Sequence, residues 1–145
     1  MMDRAEEWAI YRLAARLAQA GDDRDEAAYR ACLADAVWSG PAHQGACVPR
    51  ETYARDAMER LSRTVWTHHL LANPVIAVDE RGRSADAAID VVVTACLAMD
   101  AMGEEPGRRI TCGGRYELGF ERGATGWCIN RRFLRIRYRH GEAAG

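Results

Sequence analysis

The sequence has almost no net charge, no long apolar run and no regular cysteine spacing, and each absence removes a class of function. Over 145 residues the formal net charge is −1, so no global field draws the chain to nucleic acid or anionic lipid. The longest apolar stretch, Ala87 to Met99, is interrupted by Asp90 and is far too short to span a bilayer. The opening residues Met1-Met2-Asp3-Arg4-Ala5-Glu6-Glu7 contain no apolar signal core. The expectation is a cytoplasmic protein with no nucleic-acid and no membrane partner. Five cysteines (Cys32, Cys47, Cys96, Cys112 and Cys128) are odd in number and form no CxxC. They read as free thiols packed as small apolar groups rather than as a metal or redox site. No internal repeat or low-complexity segment is visible, and the length fits one domain, 1–145.

What is present is enough apolar material for a core, 48% of residues, with 28% charged residues for a soluble surface. The first half reads helical and the second extended, which argues an α+β fold rather than alternating βαβ units. From Asp3 to Ala20 a stripe of Trp8, Ile10, Leu13, Ala14 and Leu17 recurs at helical spacing. Asp3 is the expected N-cap with Glu6 as its capping-box partner, and Gly21 the expected stop. A second helix is predicted from Asp25 through Leu33 and a third from Arg50 to about Ser62. Val37-Trp38 reads as a short strand ended by Ser39-Gly40-Pro41, and Pro41 to Pro49 as a loop. Strands are predicted over Trp66–Val78, Ser84–Met99, Arg109–Glu121 and Trp127–Tyr138. Asn73-Pro74 marks a bulge or edge, and the intervening turns include Asp100–Gly107. The result is three N-terminal helices packed in the concavity of a curved antiparallel sheet, an α+β cone. The Ala87–Met99 strand is apolar on both faces. The helices cover one, and a second subunit is expected on the other, giving a homodimer or homotrimer.

On pattern alone His69 is a strand histidine opposite in facing to His68, and Asp22, Asp23 and Asp25 are turn or capping residues. Arg132 stands apart from the basic run that contains it. Arg131, Arg135, Arg137 and Arg139 project to one side, whereas Arg132 shares its side with Asn130, Leu134 and Ile136.

Three stretches carry a family resemblance. They are Ala9-Ile10 through Leu13 with Gly21-Asp22 and Leu33-Ala34-Asp35-Ala36-Val37-Trp38; Thr67-His68-His69-Leu70-Leu71-Ala72-Asn73; and Gly114-Arg115-Tyr116 followed by Gly126-Trp127-Cys128-Ile129. In order and spacing they resemble the SnoaL-like branch of the nuclear-transport-factor-2-like superfamily, from about Ala9 to Tyr138. Within it the pattern is similar to cofactor-free lyases such as scytalone dehydratase, bile-acid 7α-dehydratase and hexachlorocyclohexane dehydrochlorinase. The resemblance implies a His–Asp pair at His69 and Asp22 and a pocket arginine at Arg132, with no cofactor and no metal. The implied mechanism is proton abstraction by His69, oriented by Asp22, with Arg132 holding a leaving anion or developing oxyanion.

Tyr11, Leu17, Trp38, Tyr53, Met58 and Asn130 are expected to bind the substrate. One departure stands out: the dehydratases carry tyrosines on the first helix, where the position five before Asp22 is here Leu17. The acid that assists the leaving group is left among Tyr11, Tyr53 and Tyr116. The leading expectation is a lyase or isomerase, of dehydratase or cyclase type, acting on a small hydrophobic polyketide-, steroid- or aromatic-like molecule. The alternatives are a noncatalytic ligand-binding domain and the small structural subunit of a ring-hydroxylating dioxygenase.

Overall fold

A computed structural model describes residues 3–98 and 107–142. Asp3 caps the first helix, α1 (Arg4–Asp22), by accepting from the Ala5 N–H at 2.9 Å. The expected capping box does not close. Glu6 instead accepts from Trp127 Nε1 at 2.8 Å and pairs with Arg122, tying the helix start to the far end of the sheet. Nor does Gly21 end the helix, which runs one residue further to Asp22. The chain reverses at Arg24, whose φ is +56°. Helix α2 is shorter than expected, Glu26–Ala31, because Leu33 already belongs to strand β1 (Leu33–Gly40). The segment read as a loop contains strand β2 (Cys47–Pro49), paired to β1, before helix α3 (Arg50–Leu61).

Four long strands follow: β3 (Thr64–Val78), β4 (Ser84–Leu97), β5 (Arg109–Gly123) and β6 (Gly126–Glu142). The predicted strand end at Met99 and most of the predicted Asp100–Gly107 turn lie outside the described residues. The sheet order is β2-β1-β6-β5-β4-β3, open at both edges. It is mixed rather than purely antiparallel, since β1 runs parallel to β6. The register slips between Ala72 and Val75, with Asn73 at φ +52°, so the Asn73-Pro74 bulge lies on edge strand β3. The concave face meets the helices in one core. Ile10 and Leu17 from α1, Tyr53 from α3, and Ile89, Tyr116, Phe120 and Ile129 from the sheet are all buried there. Cys32 and Cys96 are buried and Cys112 and Cys128 partly so, as expected of apolar thiols, whereas Cys47 is exposed. No described helix is long and apolar enough to cross a membrane.

Two bulges shape β6. Gly119 pairs with Arg131 and Phe120 with Ile129, so Asn130 has no partner across the ladder. Ile129 and Arg132 consequently both face the concave side, three residues apart. Asn130 lies over bare Gly119 instead, with its Oδ1 2.6 Å from where a Cβ would stand. A second slip pairs Gly113 with Tyr138 and Gly114 with Ile136, leaving Arg137 unpaired. At Gly114 an added Cβ would lie 2.1 Å from the Arg135 carbonyl oxygen, whereas at Gly113 it would meet only the exposed Tyr138 ring. Backbone cannot yield as a surface ring can. Gly114→Ala is therefore expected to destabilise the protein by roughly 2–3 kcal/mol and Gly113→Ala by less, measured as paired urea midpoints.

Candidate active site

Helix α1 delivers Asp22 to the edge of the sheet, where three donors of β3 converge on its carboxylate. The His69 ring Nδ1 lies 2.6 Å from Oδ1, the Thr67 hydroxyl donates to Oδ1 at 2.8 Å, and the His69 backbone N–H donates to Oδ2 at 2.9 Å. Thr67 and His69 share a face by strand alternation, and His68 points away to solvent. Both partners of the dyad are nearly enclosed, with side-chain exposures of 12% for His69 and 15% for Asp22. An ionised carboxylate only accepts, so Nδ1 carries the proton and Nε2, on the opposite edge of the ring, is left as the basic nitrogen.

Arg24 holds this corner in place. Its guanidinium donates to the Gly21 carbonyl at 2.9 Å and the Asp22 carbonyl at 3.3 Å, capping the end of α1. It also donates to the Thr67 hydroxyl at 2.9 Å and to the Thr64 hydroxyl. Thr67 thus relays between Arg24 and Asp22. Neither residue was anticipated as part of the site. Thr67 could have been found from alternation with His69, but nothing in the sequence signals an arginine that adopts a left-handed turn.

His69 lines a cavity of about 280 Å³ between the helices and the sheet. Its walls are Leu17, Ala57, Leu61, Val93, Leu134 and Ile136, with Tyr29, Tyr116, Arg60, Cys112 and Arg132 as further members. Arg132 projects into it from β6. Its Nη2 donates to the Tyr116 hydroxyl at 2.6 Å and its Nη1 to the Tyr53 hydroxyl at 3.3 Å. The guanidinium carbon sits 4.4 Å from the Tyr116 ring centroid. None of the ion pairs among the described residues includes Arg132. A cation held by phenol hydroxyls rather than by a carboxylate remains available to an anion. Burial pushes the Tyr116 hydroxyl above its ordinary pKa, so the phenol stays protonated.

Asp22, His69 and Arg132 are therefore brought together, and Leu17 lines the same cavity. The other expected contacts lie elsewhere. Tyr53 is fully buried one layer behind Arg132, and Met58 packs against the core outside the cavity lining. Tyr11 donates to the Leu71 carbonyl of edge strand β3 at 3.1 Å. Trp38 is 52% exposed because Val37 and Ser39 take the inward positions of β1, and Asn130 is the bulge residue described above. In the basic run, Arg131 pairs with Asp86 and Arg135 with Glu117, each at 2.7 Å. A second His–Asp pair, His43 Nε2 to Asp56 Oδ2 at 2.9 Å, ties the loop after β1 to α3 outside this cavity.

Burial pushes the His69 pKa below its ordinary 6.5, and the Asp22 bond only partly opposes it. The imidazole is neutral at neutral pH. Because the folded pKa lies below the unfolded one, the protonated form is disfavoured by folding. The stabilising contribution is complete above the unfolded value of 6.5 and is lost as pH falls through the folded value. Melting temperatures of wild type and His69→Gln, compared from about pH 7.5 to pH 5, are expected to converge or cross on acidification.

The comparisons with known proteins agree with this architecture. The SnoaL-like domain family matches residues 3–133. No curated protein sequence is significantly similar, but solved structures are. The Kfla4162 protein of Kribbella flavida is 23% identical, with a TM-score of 0.80 over 95% of this chain and 93% of its own. A hexachlorocyclohexane dehydrochlorinase, LinA-type3 of Novosphingobium barchaimii, is 18% identical, with a TM-score of 0.79 over 96% and 91%. A candidate scytalone dehydratase of Novosphingobium aromaticivorans is 19% identical, with a TM-score of 0.78 over 97% and 92%. The match to the family spans nearly the whole chain and the fold is shared from end to end: this protein belongs to the SnoaL-like domain family.

Proposed function

We propose that this protein is a cofactor-independent lyase or isomerase that removes a proton beside a carbonyl of a small, largely apolar molecule. The observation that carries the reading is the short His69–Asp22 contact on a cavity that also holds Arg132, buried and bonded to two tyrosine hydroxyls. His69 Nε2 takes the proton from the carbon next to the carbonyl. Asp22 holds the ring in the required tautomer and stabilises the imidazolium that forms. Electron density moves onto the carbonyl oxygen, where the Arg132 guanidinium and the Tyr116 hydroxyl are fixed donors. Collapse of the enolate forms the C=C bond and expels the group on the next carbon. The imidazolium returns its proton to a hydroxide leaving group, or to another carbon in an isomerisation. The sequence contains no lysine, so a Schiff-base route to the same carbanion is closed. The apolar cavity walls argue against the polar-plugged interior expected of a purely structural subunit.

The test is incubation with a panel of β-hydroxy and β-halo ketones in D2O, followed by NMR. Vinyl signals, or exchange of the acidic C–H for deuterium, are expected and should vanish in His69→Gln. A panel whose members bind but neither react nor exchange would replace the lyase reading with noncatalytic ligand binding. We propose further that the convex face, which exposes Trp66, Leu70 and Val75, meets a second copy in a homodimer or homotrimer. A monomer by light scattering would remove that proposal.

A further inference from the structure

Arg60 sets a second cation on the same cavity. It stands in the last turn of α3, exposed to solvent on one side and lining the cavity on the other. A basic residue at a helix C-terminus has a role of its own in opposing the helix dipole, which accounts for its place on the helix but not for its place on the cavity. Asp56, one turn earlier, is committed to His43 at 2.9 Å and lies 3.8 Å from Arg55. No ion pair among the described residues includes Arg60. Its charge acts on Asp56 on the one side and, across the cavity it lines, on the hydroxyls of Tyr29 and Tyr53.

Among the described residues the lining therefore contains two arginines and no aspartate or glutamate. Asp22 is spent on His69, and the imidazole is neutral. A mostly apolar space bounded by two cations that no ion pair among the described residues includes attracts an anion and repels a cationic ligand. The two arginines differ in what they offer. Arg132 is enclosed and holds both tyrosine hydroxyls, which suits a carbonyl oxygen that gains charge only during reaction. Arg60 is solvated, and so binds a permanent anion without the penalty of drying it completely.

We propose that the substrate is an amphipathic carboxylate, with its apolar body in the cavity and its carboxylate held at the mouth by Arg60. This rests on the cavity being the ligand site that the proposed function requires, and it narrows the substrate class to acids.

The probes are trans-cinnamate and its uncharged isostere cinnamamide, titrated into the full-length wild-type protein and into Arg60→Gln by NMR chemical-shift perturbation. Wild type is expected to bind cinnamate about tenfold more tightly than cinnamamide, as a charge-assisted hydrogen bond implies. Arg60→Gln should remove that preference while leaving cinnamamide affinity unchanged and lowering the melting temperature only slightly, by the lost helix-dipole contact. Equal affinities in wild type overturn the proposal, as does failure of cinnamate to bind at millimolar concentration. A preference that survives in Arg60→Gln also overturns it, since the anion would then lie on Arg132. Binding needs no turnover, so the two readings fail separately. Arg60-dependent carboxylate binding without any elimination removes the lyase and keeps the acid site. Turnover of neutral ketones together with equal cinnamate and cinnamamide affinities in wild type does the reverse.

Discussion

Asp22→Asn lowers turnover by roughly 10³- to 10⁴-fold while the chain stays folded, because the exchange inverts the histidine tautomer. Asparagine has the size of aspartate, and its carbonyl oxygen can still accept from the His69 backbone N–H that Asp22 now receives at 2.9 Å. The amide nitrogen then faces Nδ1, to which the carboxylate now stands 2.6 Å away. An amide donates there, so Nδ1 must accept and the ring proton moves to Nε2. The basic nitrogen is thereby turned away from the substrate. Nitrogen-15 NMR reads this without any substrate: His69 should be the Nδ1–H tautomer in wild type and the Nε2–H tautomer in Asp22→Asn. Finding the same tautomer in both proteins, or wild-type turnover in the variant, would remove Asp22 from the mechanism.

Arg132→Met separates catalysis from stability. Losing the guanidinium removes the charged donor at the developing oxyanion, which is expected to lower kcat by about 10²- to 10³-fold. Stability should be unchanged or higher. Arg132 has no carboxylate partner among the described residues to repay the removal of its charge from water, and methionine fills similar space with an apolar chain. Tyr53 keeps Ser39 as a side-chain partner and the Tyr116 hydroxyl keeps the cavity. Arg132→Lys should not restore the rate, because a single ammonium cannot reach both tyrosines and the substrate in the guanidinium's planar geometry. Kinetics and thermal melts on the same preparations decide the matter. A rate within a few-fold of wild type would leave Arg132 a structural cation.

The dyad was legible only through the family resemblance, because on pattern alone Asp22 is a turn or capping residue and His69 a strand histidine. Asp22 ends a strongly periodic helix, and His69 lies on a strand whose alternation fixes its facing relative to His68. Alternation does set Arg132 apart from its basic run, as the charged member of a face shared with Asn130, Leu134 and Ile136, and the resemblance supplies its place in the pocket. The misplaced residues mark where simple alternation stops. Trp38 is expected to contact the substrate from a short Val37-Trp38 strand, but β1 is longer than those two strand formers, and Val37 and Ser39 set its phase. Asn130 was placed beside Arg132 by simple counting, and the bulge broke the count. The parallel pairing of β1 with β6 joins segments about ninety residues apart, and no local signal specifies it. Arg24 is the least visible of all. Its left-handed backbone is held by hydroxyls of β3, so the conformation exists only once helix and sheet have met.

Strand β3 is one end of an open sheet, with backbone donors and acceptors facing outward. Two of these are occupied by α1: the Tyr11 hydroxyl takes the Leu71 carbonyl and the Asp22 carboxylate takes the His69 N–H. An unprotected outer strand is a template on which other chains can add. The carboxylate that orients the base is thus also a guard against self-association. Removing it altogether, as Asp22→Ala does, exposes a vacant strand edge beside Leu70. That variant should form aggregates under conditions in which Asp22→Asn and His69→Gln remain dispersed. Selection for solubility and selection for chemistry would then act on one side chain, and relaxing either demand alone would not free the position to change.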